Sequence, residues 1–279
     1  MAIRYDSIKP ELGAIVHAEK GDFADPGFAM ECVELLDDRM VLVFPRAYLS
    51  DEEQLLFTDL MGEPSDFSAR QLEKDGEDSE FYKVSLDPGI KQDSQYVYAT
   101  WFWHMDGVTA LQDPPAATLL SARTVAGEGG QTEFACTAAA YDALPDAEKA
   151  KLEKMTAVHS VYAGVRPILD YSVRPEDWEG TPSNFTHPIV HRHESGRKSL
   201  VLGVQVEQIV GLSLIESRAM LHRLMDWASQ PAFKYRHDWQ EGDMVVWKNL
   251  GAMHRAAPYQ ADSGRLLYRT SLAKMRVPA

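Results

Sequence analysis

A mainly β domain with flanking helices is the fold class this sequence predicts. Short apolar or β-branched runs recur along the chain between turn-forming residues, and helical patterns are few. Strands and helices do not alternate as βαβ units would, so a closed or two-layered β architecture is expected rather than a parallel sheet. An early strand is expected at 11–18. A helix follows at 27–38, then a buried strand at 40–45 (MVLVFP). Ser50 and Glu53 have the spacing of a capping box and start a helix that runs to about Met61. The aromatic stretch 96–104 (YVYATWFWH) reads as a strand, as do 117–125 and the run that leaves the Gly-rich turn at 127–135. Residues 137–155 are helical with a break at Pro145, and 156–163 is a strand. Residues 188–193 and 198–204 flank a polar turn and form a hairpin. Ser213 and Glu216 cap a helix to about Ser229, and strands at 243–249 and 265–275 close the chain. The polar stretches at about 64–98 and 165–186 lack periodicity and are expected as irregular active-site loops of a single domain spanning 1–279.

Composition narrows the function. A formal net charge of −14 is the wrong sign for a phosphate-binding surface, so nucleic acid is not an expected partner. No apolar run approaches a membrane span, and the first twenty residues lack a signal-peptide core. Cys32 and Cys136 stand far apart in no metal-type spacing, which points to a reducing cytoplasm. A homo-oligomer acting on a small organic acid is expected. An acidic chain can hold an acid only through a locally basic pocket, which makes clustered arginines informative.

His104 and Asp106 sit at the end of the aromatic run. Alternation along a strand would put both on one face, where they can share a metal. His254, a short turn after the strand 243–249, is the candidate third ligand. Two histidines and a carboxylate leave open positions, as non-haem iron(II) oxygenases require. Arg265 lies eleven residues after His254 and Arg269 four further on, with apolar neighbours. A buried arginine is costly without an anion, so the pair offers seats for two carboxylates. His187, His191 and His193 cluster near a hairpin turn and read as loop-packing residues, and His159 reads as a satisfied core histidine.

The motifs HMD (104–106), GGQTEF (129–134), WKNLGAMHRAAPY (247–259) and GRLLYRTS (264–271) resemble those of the taurine / 2,4-dichlorophenoxyacetate dioxygenase family. That resemblance implies a double-stranded β-helix (jelly-roll) core, Fe(II) as metal, and 2-oxoglutarate and O2 as cosubstrates. It implies that Thr132 and Arg265 bind the distal carboxylate of 2-oxoglutarate, that Trp247 packs beside that pocket, and that Arg269 faces the anionic group of the substrate. Two positions depart from family patterns. Thr100 stands where taurine-oxidising members often carry Asn, and Gln205 where phenoxyacetate members carry His. The aromatic run Tyr96, Tyr98, Trp101, Phe102 and Trp103 suggests an apolar substrate wall. The expected reaction is hydroxylation of an aryl- or aryloxy-alkanoate, with bond cleavage where the hydroxylated carbon bears an ether oxygen. A taurine or alkylsulfonate dioxygenase is the alternative within the family. A non-catalytic β-barrel that binds an organic acid, and a cupin-like hydrolase with another metal, are the alternatives outside it.

Overall fold

The computed structural model describes residues 3–65, 81–90, 94–109, 113–168 and 185–277. Most of the two expected loops, 64–98 and 165–186, lies outside these residues.

An eight-stranded sheet forms the backbone of the molecule. Its order is Tyr5–Lys9, Leu12–Val16, Val41–Phe44, Met244–Lys248, Ala117–Thr124, Leu266–Met275 and Gly62–Pro64, with Tyr82–Val84 also pairing to Leu266–Met275. Its central strands are buried on both faces, which is why they read as unbroken apolar runs. Leu42, Phe44, Leu119, Met244 and Val246 point one way, onto Leu36, Phe57 and Met61 of the helices Pro26–Arg39 and Asp51–Met61. Val41, Val43, Leu120, Val245 and Trp247 point the other way and pack on Phe134, Cys136 and Ala252. Those residues belong to a second sheet, ordered Lys234–His237, Thr132–Cys136, Ala252–Ala256. The two facing sheets are the jelly-roll core. A third, smaller sheet joins Val206–Ile209, Thr156–His159 and Phe185–Pro188.

The expected helix starts are present. Ser50 and Ser213 each accept from the main chain three residues on, and Glu53 and Glu216 reach back to close both capping boxes. Asp25 caps the helix at Pro26, accepting from Gly27 N at 2.7 Å. The hairpin Val190–Arg192 with Lys198–Leu200 forms as expected.

Three expectations fail. The aromatic stretch 96–104 is not a strand: Ser94–Ala99 is a short helix, continued by a turn in which Thr100, Trp101 and Phe102 each bond back three residues. Val97, Tyr98 and Trp101 share a helical spacing and pack with Leu86 and Tyr259, so burial decides against the β-propensity of aromatic residues. The strand begun at Thr156 stops at His159, because Ser160 caps a helix at Val161–Val165 through Ala163 N. The short turn expected between Lys248 and His254 ends earlier than expected, and His254 lies within the strand Ala252–Ala256. Among the described residues, no helix is long and apolar enough to cross a membrane.

Candidate active site

His104 and His254 are locked together by their main chains. Each donates its N–H to the other's carbonyl at 3.0 Å, an isolated antiparallel bridge between the turn after Phe102 and the second sheet. The two rings end with centroids 4.2 Å apart. His104 Nδ1 is 2.8 Å from Phe102 O, and a carbonyl can only accept, so Nδ1 carries the proton and Nε2 keeps its lone pair. That Nε2 is 3.9 Å from Asp106 Oδ1, and His254 Nε2 is 3.7 Å from Asp106 Oδ2. Asp106 comes from the turn that follows, not from strand alternation, and Gly107 at φ 74° completes that turn. One ligand atom from each residue lies within 4.8 Å of the other two; among the described residues no other such group of His, Cys, Asp and Glu exists.

The protonation states suit a divalent metal. Burial pulls both imidazoles below their usual range, His254 to about 3, so both are neutral donors. Burial works against the Asp106 charge, but His254, Arg269 and His104 outweigh it and hold the carboxyl below its usual range. Two neutral nitrogens and one carboxylate converging on one buried point fit iron(II).

Arg265 is the second feature. It is 3 % exposed, lies over the Tyr259 ring at 4.5 Å, and donates through Nη2 to Gly130 O at 3.1 Å. Its Nη1 has no hydrogen-bond partner, and the group that bears on its charge is the Tyr259 phenol rather than a carboxylate. The turn before Thr132 makes room for it. Gly130 has φ +73°, and a Cβ there would stand 2.9 Å from Arg265 Cδ and Nε. Thr132 pairs with Ala256 in the ladder that pairs Phe134 with His254, so Thr132 and His254 share a face. Thr132 Oγ1 accepts from Trp239 Nε1 at 2.9 Å, which leaves its own O–H to give.

Arg269 is the third. Its Nη1 is 3.6 Å from Asp106 Oδ1, and its guanidinium covers the ring of Tyr82, its cross-strand partner, at 4.4 Å. A cavity of about 140 Å³ opens beside the triad, lined by Arg269, Tyr82, Val84, Thr100, Val161 and Gln205 among others. Thr100 Oγ1 donates to Val97 O at 2.7 Å. Gln205 Nε2 donates to Met105 O at 3.1 Å, and its Oε1 has no partner.

Trp103 is not brought to this cavity. It lies under the Arg255 guanidinium at 4.7 Å and lines a separate cavity with Phe102 and Leu221. Trp247 stands behind His254, ring centroids 4.6 Å apart, within the core between the sheets. The histidine cluster does not converge. His187 Nε2 meets Val108 O at 3.0 Å, and His193 Nε2 meets Ser199 Oγ at 2.9 Å. His159 is in the core but is not satisfied: neither ring nitrogen has a partner, and burial lowers its pKa to about 3. His193→Ala is therefore expected to lower stability by ~1 kcal/mol through the lost hydrogen bond, with metal content unchanged. Iron loss in that variant, read by metal analysis, would bring the cluster back into consideration. Sequence reasoning missed Thr118, whose hydroxyl donates to Asp106 Oδ2 at 3.1 Å, and Asn249 behind it. Asn249 did carry a signal, its place in the WKN motif; Thr118 carried none.

Residues 6–271 match the family model described as taurine catabolism dioxygenase TauD, TfdA family. The chain belongs to the TauD/TfdA family. Among curated relatives, an alpha-ketoglutarate-dependent 2,4-dichlorophenoxyacetate dioxygenase from Cupriavidus pinatubonensis is 34% identical, the match covering 86% of this chain and 87% of that protein. An (S)-phenoxypropionate/alpha-ketoglutarate-dioxygenase from Sphingobium herbicidovorans is 31% identical over 94% and 92% of the two chains. A solved structure of AAD-2 in complex with Mn(II) and N-oxalylglycine superposes with a TM-score of 0.86 at 29% identity, covering 98% of each chain. This TauD/TfdA member is thus a 2-oxoglutarate-dependent non-haem iron dioxygenase.

Proposed function

We propose that this dioxygenase acts as one domain on a small aryl- or aryloxy-alkanoate, with iron on His104, Asp106 and His254, the distal carboxylate of 2-oxoglutarate on Arg265 and Thr132, and the substrate carboxylate on Arg269. The observation that carries the reading is Arg265, a buried guanidinium with an unpaired Nη1. A charge so placed is stable only when an anion completes it. Arg269 is a second cation, on the substrate cavity itself.

Iron, 2-oxoglutarate and dioxygen together supply the oxidising power for C–H hydroxylation, with succinate and carbon dioxide as coproducts. The chain supplies binding and aim. Arg265 anchors the cosubstrate by a two-point, charge-assisted contact, and Thr132 adds its hydroxyl. Arg269 grips the substrate carboxylate and so fixes which carbon faces the triad. Tyr82, Val84, Val161 and Val204 line the cavity and exclude water from the ring's path. The relatives named for phenoxy acids support the choice of substrate class.

Arg269→Ala is expected to leave the 2-oxoglutarate complex intact while succinate formation becomes uncoupled from hydroxylation. A panel of acids, their methyl esters and sulfonates, scored by substrate-dependent succinate release, tests the class. Esters turned over as fast as free acids would remove the anion seat at Arg269. Sulfonates outrunning every carboxylate would shift the reading to the alkylsulfonate branch.

A further inference from the structure

Behind Asp106 runs a chain of hydrogen bonds whose direction is forced from its far end. The indole of Trp247 can only donate, and its Nε1 is 2.9 Å from Asn249 Oδ1. That contact fixes the amide: Oδ1 accepts, and Nδ2 points away with two hydrogens to give. One goes to Pro115 O at 3.0 Å, a carbonyl that can only accept. The other goes to Thr118 Oγ1 at 3.0 Å. With that lone pair taken, the single hydrogen of the Thr118 hydroxyl is directed to Asp106 Oδ2 at 3.1 Å. Thr118 and Asn249 are fully buried and Trp247 is 1 % exposed, so no water competes for any link. Strand register builds the arrangement, since Thr118 and Trp247 are direct cross-strand partners and point to the same face.

We infer that Trp247, Asn249 and Thr118 are positioning residues that reserve Asp106 Oδ2 and keep the carboxylate a one-oxygen metal ligand. Oδ2 also lies 3.7 Å from His254 Nε2, but it is the oxygen that the Thr118 hydroxyl holds, so Oδ1, 3.9 Å from His104 Nε2 and 3.6 Å from Arg269 Nη1, is the one left for the metal. The inference rests on the triad being the iron site. Its chemical consequence concerns room. With one donor atom from each triad residue, a bound iron(II) would keep open positions for the cosubstrate and dioxygen. A carboxylate gripping with both oxygens would occupy one of them. A hydrogen bond already committed to Oδ2 opposes that second grip and also holds the carboxylate plane, as outer hydrogen bonds to metal ligands commonly do.

Anaerobic titration of the metal-free protein with iron(II), then with 2-oxoglutarate while its chelate absorption band is followed, tests this without turnover. Thr118→Val keeps the shape and removes the hydrogen. It is expected to weaken iron(II) binding by roughly 10- to 100-fold and to shift or abolish the chelate band. Thr118→Ser restores both. N249D offers Thr118 an acceptor in place of a donor, pulls the hydroxyl hydrogen away from Asp106, and is expected to resemble Thr118→Val. Thermal midpoints confirm that each variant is folded. Where Thr118→Val does not fold, Thr118→Cys, with a weak donor in the same place, carries the comparison. Wild-type affinity and band in a folded Thr118→Val, or a serine variant no better than the valine one, would overturn the inference. A wild-type protein that takes up no iron would instead overturn the site assignment on which it rests.

Discussion

Alanine at His104, Asp106 or His254 is expected to abolish iron-dependent turnover while the protein stays folded. Each side chain supplies one of three convergent donor atoms, and none has a replacement among the described residues. The fold should persist because the bridge between His104 and His254 is made by their main chains, which alanine retains. Asp106→Ala also takes the carboxylate away from Arg269, so some loss of stability accompanies loss of the metal in that variant. Metal content, circular dichroism and 2-oxoglutarate turnover measured together separate loss of the ion from loss of structure. Full activity in any one variant removes that residue from the ligand set.

Arg265→Ala is expected to weaken 2-oxoglutarate binding about ten- to a hundredfold, the loss of a charge-assisted contact of roughly 1.5–3 kcal/mol. Arg265→Lys should recover only part of this, because a point charge on a flexible stem does not reproduce the planar fork. Thr132→Val should cost less, since it removes one hydrogen bond to the carboxylate rather than a two-point contact between opposite charges. It also strands the Trp239 N–H that Thr132 now accepts. Anaerobic titration of the iron-loaded protein reads each affinity. Unchanged affinity in Arg265→Ala would hand the anchor to another cation.

The helices at Pro26 and Asp51 and the apolar strands of the large sheet were legible because their signals are local: capping residues, a proline at the first turn, runs buried on both faces. The stretch before His104 was not. Its aromatic residues carry β-propensity, but the packing that turns Val97, Tyr98 and Trp101 into a helical face comes from Leu86 across an irregular stretch and from Tyr259, far along the chain. His104 and Asp106 were found by their spacing, yet a bridge and a turn bring them together, not a shared strand face. The strand holding His254 is short and begins one residue after Gly251, so its first two residues read as part of the turn. Thr118 could not be singled out, since a threonine inside ATLLSART looks like any β-branched strand residue. Only the register against Trp247 gives it a task.

The bridge that joins His104 to His254 also governs which changes in length this chain can absorb. Side chains in a strand change face at every residue, so one residue gained or lost between Ala252 and His254 would turn the imidazole outward and unpair the bridge. Substitutions on the outer face leave that parity untouched. Divergence among descendants of this chain should therefore run through amino-acid replacement in the strand, while insertions and deletions collect in turns such as 194–197, where no ligand's orientation depends on the count.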